Sequence, residues 1–219
     1  MKTRMISLLL LILTLGMISI FPSMAYSAKS AEAYFEQGNK EFDDGDFDLA
    51  LNSYSKAIEL NPKYADAYNN RGNAYKRLEQ FDQAIEDYAK AIKYSPKDDS
   101  FYGNRAVVYS MQGKVDLAIK DADQALKINP NNYGAYNTRG IAYARQKKYD
   151  LAIKDFAKSI EIKPDDAQTY ANRGVAFQKK GDKDKALADF NKAKELNPQL
   201  AEFCDEHIAE MKKGSSKKK

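Results

Sequence analysis

Apolar and small residues recur along this chain with the spacing of an amphipathic helix. Tyr68, Arg71, Gly72 and Tyr75 stand at i, i+3, i+4 and i+7, one face of a first helix. Ala84, Ile85, Tyr88, Ala91 and Ile92 form a second such face after a short polar interruption. The whole two-helix pattern then starts again. Five prolines, Pro62, Pro96, Pro130, Pro164 and Pro198, recur at a spacing of 34 residues, and Pro22 alone stands outside the series. A fixed period of this length marks stacked supersecondary units, none of which buries its apolar face alone. Aligned on the prolines from Ala31, the chain divides into five gapless units: 31–64, 65–98, 99–132, 133–166 and 167–200. Places 1 to 34 denote positions within a unit.

Small and large residues alternate at fixed places. Place 4 is Tyr34, Tyr68, Tyr102, Tyr136 and Tyr170, and place 20 is Ala50, Ala84, Ala118, Ala152 and Ala186. Place 8 is Gly38, Gly72, Ala106, Gly140 and Gly174, and place 27 is Ala57, Ala91, Ala125, Ser159 and Ala193. An aromatic holds place 24 as Tyr54, Tyr88, Phe156 and Phe190, with Ala122 the exception. Two antiparallel helices approach closely only where one offers Gly or Ala, and a neighbouring aromatic fills the hollow. Gly45, Gly113 and Gly181 mark the turn between the helices and suit a left-handed cap. Asp48, Asp82, Asp116, Asp150 and Asp184 follow three residues later, at or just inside the second helix. There they are expected to accept orphan amide hydrogens and complement the helix dipole. The proline then stops the second helix. The pattern predicts an all-α chain without strands.

Over 170 of 219 residues this pattern resembles the tetratricopeptide repeat family. The resemblance implies a right-handed α-solenoid of helix-turn-helix units that binds protein in a groove lined by its first helices. Residues 201–213 extend the pattern as a capping helix, with Cys204, Ile208 and Met211 at core places and a polar opposite face. Unit one departs from the others at Phe35, Glu41 and Phe42, as terminal repeats commonly do.

Ahead of the repeats, Lys2 and Arg4 precede an uncharged apolar run from Met5 to Phe21, then Pro22 and small residues. That is the order of a secretory signal peptide over 1–25. Ser23-Met24-Ala25 favours cleavage before Tyr26; a cut before Ala28 comes next, and an uncleaved membrane anchor is the alternative. Residues 26–30 read as a short linker. Either way the repeats are expected outside the cytoplasm, periplasmic or secreted.

Charge narrows the partners. The formal +4 falls to +2 without Lys2 and Arg4. Setting aside Lys212, Lys213, Lys217, Lys218 and Lys219 as well leaves −3 for the body. No basic face of the kind nucleic acid requires is present. Residues 214–219 read as a disordered basic tail, solvated or else able to touch anionic lipid or cell-wall polymer. One Cys and one His, Cys204 and His207, cannot build a structural zinc site or a catalytic triad. No phosphate-binding glycine loop appears. The expectation is a protein that is not an enzyme, with no metal and no cofactor, and nothing here fixes its oligomeric state.

Two polar series remain. Place 7 is Gln37, Arg71, Arg105, Arg139 and Arg173, while place 23 is Ser53, Asp87, Asp121, Asp155 and Asp189. The two charges appear together and vanish together, which favours Arg–Asp contact within each unit over contact between units. Place 6 is Glu36, Asn70, Asn104, Thr138 and Asn172. It faces away from the second helix, toward the groove the resemblance implies. An asparagine amide both donates and accepts, matching a peptide backbone. The row is similar to the asparagine ladder in the repeat domain of O-linked N-acetylglucosamine transferase; alternatively, asparagine merely tolerates an exposed helix face. Asn39, Asn73 and Asn137 flank it, so Asn39, Asn70, Asn73, Asn104, Asn137, Thr138 and Asn172 are the candidate peptide-binding residues. The carboxylate clamp for chaperone tails is a poor match. Asn39 and Asn70 fit it, but Phe35, Ser100 and Asn104 stand where it needs lysine, lysine and arginine. Moving the motif along meets Asn69, Gly134 and Thr138 instead. The reading is an exported adaptor binding a protein or extended peptide, the alternative a structural scaffold acting through its convex face or basic tail.

Overall fold

A computed structural model describes residues 29–216, so the expected leader and most of the linker, along with Lys217 to Lys219, lie outside the described residues. Eleven α-helices and no strand make up the described residues. In units one to five the helix pairs are α1 (Ala31–Asp43) and α2 (Phe47–Leu60), α3 (Ala65–Arg77) and α4 (Phe81–Tyr94), α5 (Asp99–Met111) and α6 (Val115–Ile128), α7 (Tyr133–Arg145) and α8 (Tyr149–Ile162), and α9 (Ala167–Lys180) and α10 (Lys183–Leu196). A short 3₁₀ turn, Pro198–Leu200, leads into α11 (Ala201–Ser216). Each second helix ends on an extended residue, Asn61, Ser95, Asn129, Lys163 or Asn197, directly before the periodic proline.

The close approach of the two helices has a specific geometry. A Cβ built on Gly140 would lie 2.7 Å from the Phe156 ring, and one on Gly72 would lie 2.8 Å from Tyr88. The place-24 aromatic therefore rests directly on the place-8 backbone. In unit three Ala106 faces Ala122, small on small, so the extra methyl has room. The paired charges staple the same two helices. Arg71, Arg105, Arg139 and Arg173 each grip the aspartate of their own unit with two parallel bonds; for Arg139 these measure 2.7 and 2.8 Å to Asp155. The Asp155 bonds lift the Arg139 guanidinium above its ordinary basicity. A further nitrogen of Arg71 and Arg139 reaches back to place 25 of the preceding unit, Ser55 and Asp123.

The turns follow the expected cap only in part. Gly45, Gly113 and Gly181 have φ of 88°, 73° and 91°, and Glu79 and Lys147 hold the same left-handed conformation without glycine. The aspartates at place 18 lie in the first turn of the second helix, as expected for the helix dipole, but they are not its cap. The cap residue stands two positions earlier, at Asp46, Gln80, Lys114, Lys148 and Asp182. Asp82 accepts instead from Gln112, Asp116 from Gln146, and Asp150 pairs with Lys180, each on the first helix of the next unit or its cap. They tie neighbouring units together.

The two helix layers of the array are packed unequally. Successive first helices contact one another along the whole array, whereas successive second helices touch only first helices. First helices thus form the inner layer and second helices spread on the outside. The last helix takes the place of a sixth first helix, contacting both α9 and α10. Cys204, Ile208 and Met211 are buried there against Phe190, Ala186 and Ala171, and burial raises the thiol pKa of Cys204. The helix runs three residues beyond its expected end at 213. Among the described residues no helix is long and apolar enough to cross a membrane.

Candidate functional site

The inner faces of α1, α3, α5, α7 and α9 form the candidate site, and the place-6 asparagines lie on it half-buried. Their amides already link adjacent first helices. Asn70 Nδ2 donates to Asn39 Oδ1 at 2.8 Å, Asn104 Nδ2 to Asn69 Oδ1 at 2.9 Å, and Asn172 Nδ2 to Asn137 Oδ1 at 3.1 Å. An amide nitrogen carries two hydrogens, so each bridge holds the side chain still and leaves a second donor. Thr138 differs from its counterparts: it is 4% exposed and offers no surface to a bound chain. Asn39 and Asn73 accept from the hydroxyls of Tyr54, at 3.0 Å, and Tyr88, at 2.8 Å. Burial pushes both phenols well above their ordinary pKa, so they stay protonated donors. The four Arg–Asp pairs bridge the two helices of units two to five.

Two cavities open at repeat-equivalent positions, three units apart. The front cavity, about 360 Å³, is lined by Asn39, Phe42, Asp43 and Tyr54 of unit one and Asn70 and Asn73 of unit two. The rear cavity, about 370 Å³, has Ile141, Ala144, Arg145 and Phe156 of unit four at the same places, and Asn172 and Val175 of unit five. Tyr149, Ala176 and Lys179 and, from the last helix, Phe203 and His207 complete it. His207 Nδ1 lies 2.7 Å from Gln178 Oε1, and its ring stacks on Phe190. Arg145 is anchored by donating Nη1 to the Ser110 carbonyl.

Sequence reasoning missed this division, although a signal for it exists. Place 9 follows place 24 within the chain: asparagine accompanies tyrosine in units one and two, and Ile141 and Val175 accompany Phe156 and Phe190 in units four and five. A hydroxyl at place 24 requires an acceptor across the helix pair; a bare ring does not.

Comparison with known proteins agrees with this architecture. The family model for the TPR repeat matches residues 31–79, and that for the tetratricopeptide repeat matches 65–98, 100–132, 133–166 and 167–200. Among solved structures, MamA is similar at 27% identity and TM-score 0.65, over 79% of this chain and 94% of that one. YrrB, a TPR protein with an unusual peptide-binding site, is similar at 27% identity and TM-score 0.62, over 81% of this chain and 92% of that one. A thermophilic TPR protein of Thermus thermophilus shares the fold at 19% identity and TM-score 0.67, over 82% of this chain and 98% of that one. No curated protein matches the chain.

Proposed function

The chain belongs to the tetratricopeptide repeat family, and from that premise we propose that it is an exported adaptor holding an extended segment of a partner protein along its inner face. One observation carries this reading: the place-6 asparagines Asn70, Asn104 and Asn172 line that face, each held by one amide hydrogen and carrying a second. Prepositioned donors lower the ordering cost of binding. The likeness to YrrB, which has a peptide-binding site, supports the class of ligand. Export rests on the charged, apolar and small-residue order of 1–25.

Affinity capture from an envelope extract tests the reading, with the wild type compared against a variant carrying Asn70→Ala, Asn104→Ala and Asn172→Ala. Losing a neutral hydrogen bond costs about 0.5–1.5 kcal/mol, so binding of captured partners should weaken very roughly ten- to a thousandfold while circular dichroism is unchanged. Partners retained equally by both proteins would remove the groove from consideration. A scaffold acting through the outer layer is the second reading, favoured by Leu49, Leu117 and Leu151, which share one place on three second helices and are 53%, 44% and 44% exposed. Polar replacement of those leucines separates the two.

A further inference from the structure

The front and rear cavities occupy the same repeat positions yet differ at five of the six shared places. Asn39, Phe42, Asp43, Tyr54 and Asn73 in front become Ile141, Ala144, Arg145, Phe156 and Val175 behind, and only Asn70 and Asn172 agree. The front cavity is amide-lined with one carboxylate, Asp43, at its rim, and Glu32 and Glu36 lie exposed on the same helix. Lys40 is exposed on that helix as well, and Lys76 Nζ donates to Asn73 Oδ1 at 3.4 Å, but of the charged side chains only Asp43 lines the cavity. The rear cavity is apolar across Ile141, Ala144, Val175 and Phe203, with Arg145 and Lys179 at its edge. The two ends of one groove thus carry opposite charges, each beside a pocket of different polarity.

We infer that the groove is bipartite and reads one extended segment in a single direction: a basic side chain at the front cavity and, further along, a bulky apolar side chain beside a carboxylate at the rear. Charge complementarity fixes the occupant's ends, since Asp43 favours a cation and Arg145 with Lys179 favours an anion. The apolar floor fixes the side chain between them, because an amide or hydroxyl there would lose its water without gaining a partner. Packed helices lie about 8–10 Å apart and an extended chain advances about 3.3–3.6 Å per residue. Three units therefore separate the two anchors by about nine residues. Between them Asn104 alone of the row is left to contact backbone, so intervening side chains are free to vary. The inference rests on the groove reading above and adds the chemistry of what the groove takes.

The test pans a random peptide library of about twelve residues, long enough for that span, displayed on phage against the full chain. An enriched peptide is then measured by fluorescence anisotropy. A rear variant carries Ile141→Asn, Phe156→Tyr, Val175→Asn and Phe190→Tyr, all residues that units one and two already accommodate at these places. A front variant carries Asp43→Arg, copying place 13 of units two and four. Enriched peptides should pair a Lys or Arg with a Phe or Leu next to Asp or Glu about nine residues away. The rear variant should weaken them about tenfold or more, as loss of apolar complementarity does, and the front variant should abolish the basic preference. Peptides that bind through the asparagine row but show no such pattern, and are indifferent to the rear variant, overturn the bipartite groove and leave the adaptor reading standing. An absence of enrichment, or enrichment indifferent to every groove substitution including the asparagine triple variant, overturns both.

Discussion

Arg139 shows how one side chain is divided between structure and surface. Its Nε and Nη2 grip Asp155, which is 6% exposed at the side chain, while Nη1 reaches the half-exposed Asp123 of the preceding unit. The two arms should differ in energy accordingly. Removing one partner of a buried pair costs about 3–5 kcal/mol, because the other charge is left without compensation. An exposed pair is worth about 0–1 kcal/mol. A double-mutant cycle for Arg139→Ala and Asp155→Ala, read by urea unfolding, should show strong coupling, and the cycle with Asp123→Ala little or none. Equal coupling in both cycles would mean that burial does not govern the pair. The intra-unit pairing was legible in sequence because Gln37 and Ser53 replace both charges together in unit one. The amide bridges were not. Asn70 bonds to place 9 of the previous unit, whereas Asn104 and Asn172 bond to place 5, so no one offset holds for the whole row. Thr138 shows the same limit: its place in the row implied exposure, yet its side chain is buried.

Each helix pair is built around a contact between ring and backbone, and unit three provides its natural variant. Gly140→Ala would put a methyl 2.7 Å from Phe156. Overpacking of that kind costs about 1–3 kcal/mol, partly offset by the better helix propensity of alanine, about 1 kcal/mol. With Phe156→Ala in place the methyl has room, as Ala106 has against Ala122. The expected result is that Gly140→Ala destabilises the wild type but is neutral or stabilising in the Phe156→Ala background. Thermal unfolding of the four proteins measures it, and an identical effect in both backgrounds would separate the glycine from the ring. At this scale sequence served well where one side chain sets one contact. Helix faces, periodic prolines and small residues each carry their own steric reason. It served less well at the helix starts. Placing an aspartate in the first turn cannot tell a cap from a carboxylate turned toward the neighbouring unit, since Gln112 and Gln146 lie 30 residues ahead of Asp82 and Asp116. The left-handed Glu79 and Lys147 carry no glycine to announce them.

Among the described residues the molecule is a stack whose contacts run between neighbouring units and no further. The division into an inner and an outer layer arises from unequal packing between units, which no single unit encodes. The difference between the two cavities emerges likewise from comparing units with each other: places 9, 13 and 24 change character from front to rear while the fold stays constant. A stack of this kind responds to damage locally, because its stability is close to a sum of unit and interface terms. The last helix tests this. It covers Phe190, Ala186 and Ala171 with Cys204, Ile208 and Met211, and it contributes Phe203 and His207 to the rear cavity. Ending the chain before Ala201 removes both functions at once. Amide hydrogen exchange should then lose protection in α9 and α10 while α1 to α6 keep theirs, since nothing in the front units touches the deleted helix. The truncated protein should also self-associate through the uncovered apolar edge. Peptide contacts at the rear cavity should disappear while those at the front persist. A truncated chain that stays monomeric with unchanged exchange in α9 and α10 would show that the last helix is an ornament rather than a cap. Uniform loss of protection across all five units would instead show one cooperative fold, in which front and rear cannot be tuned apart.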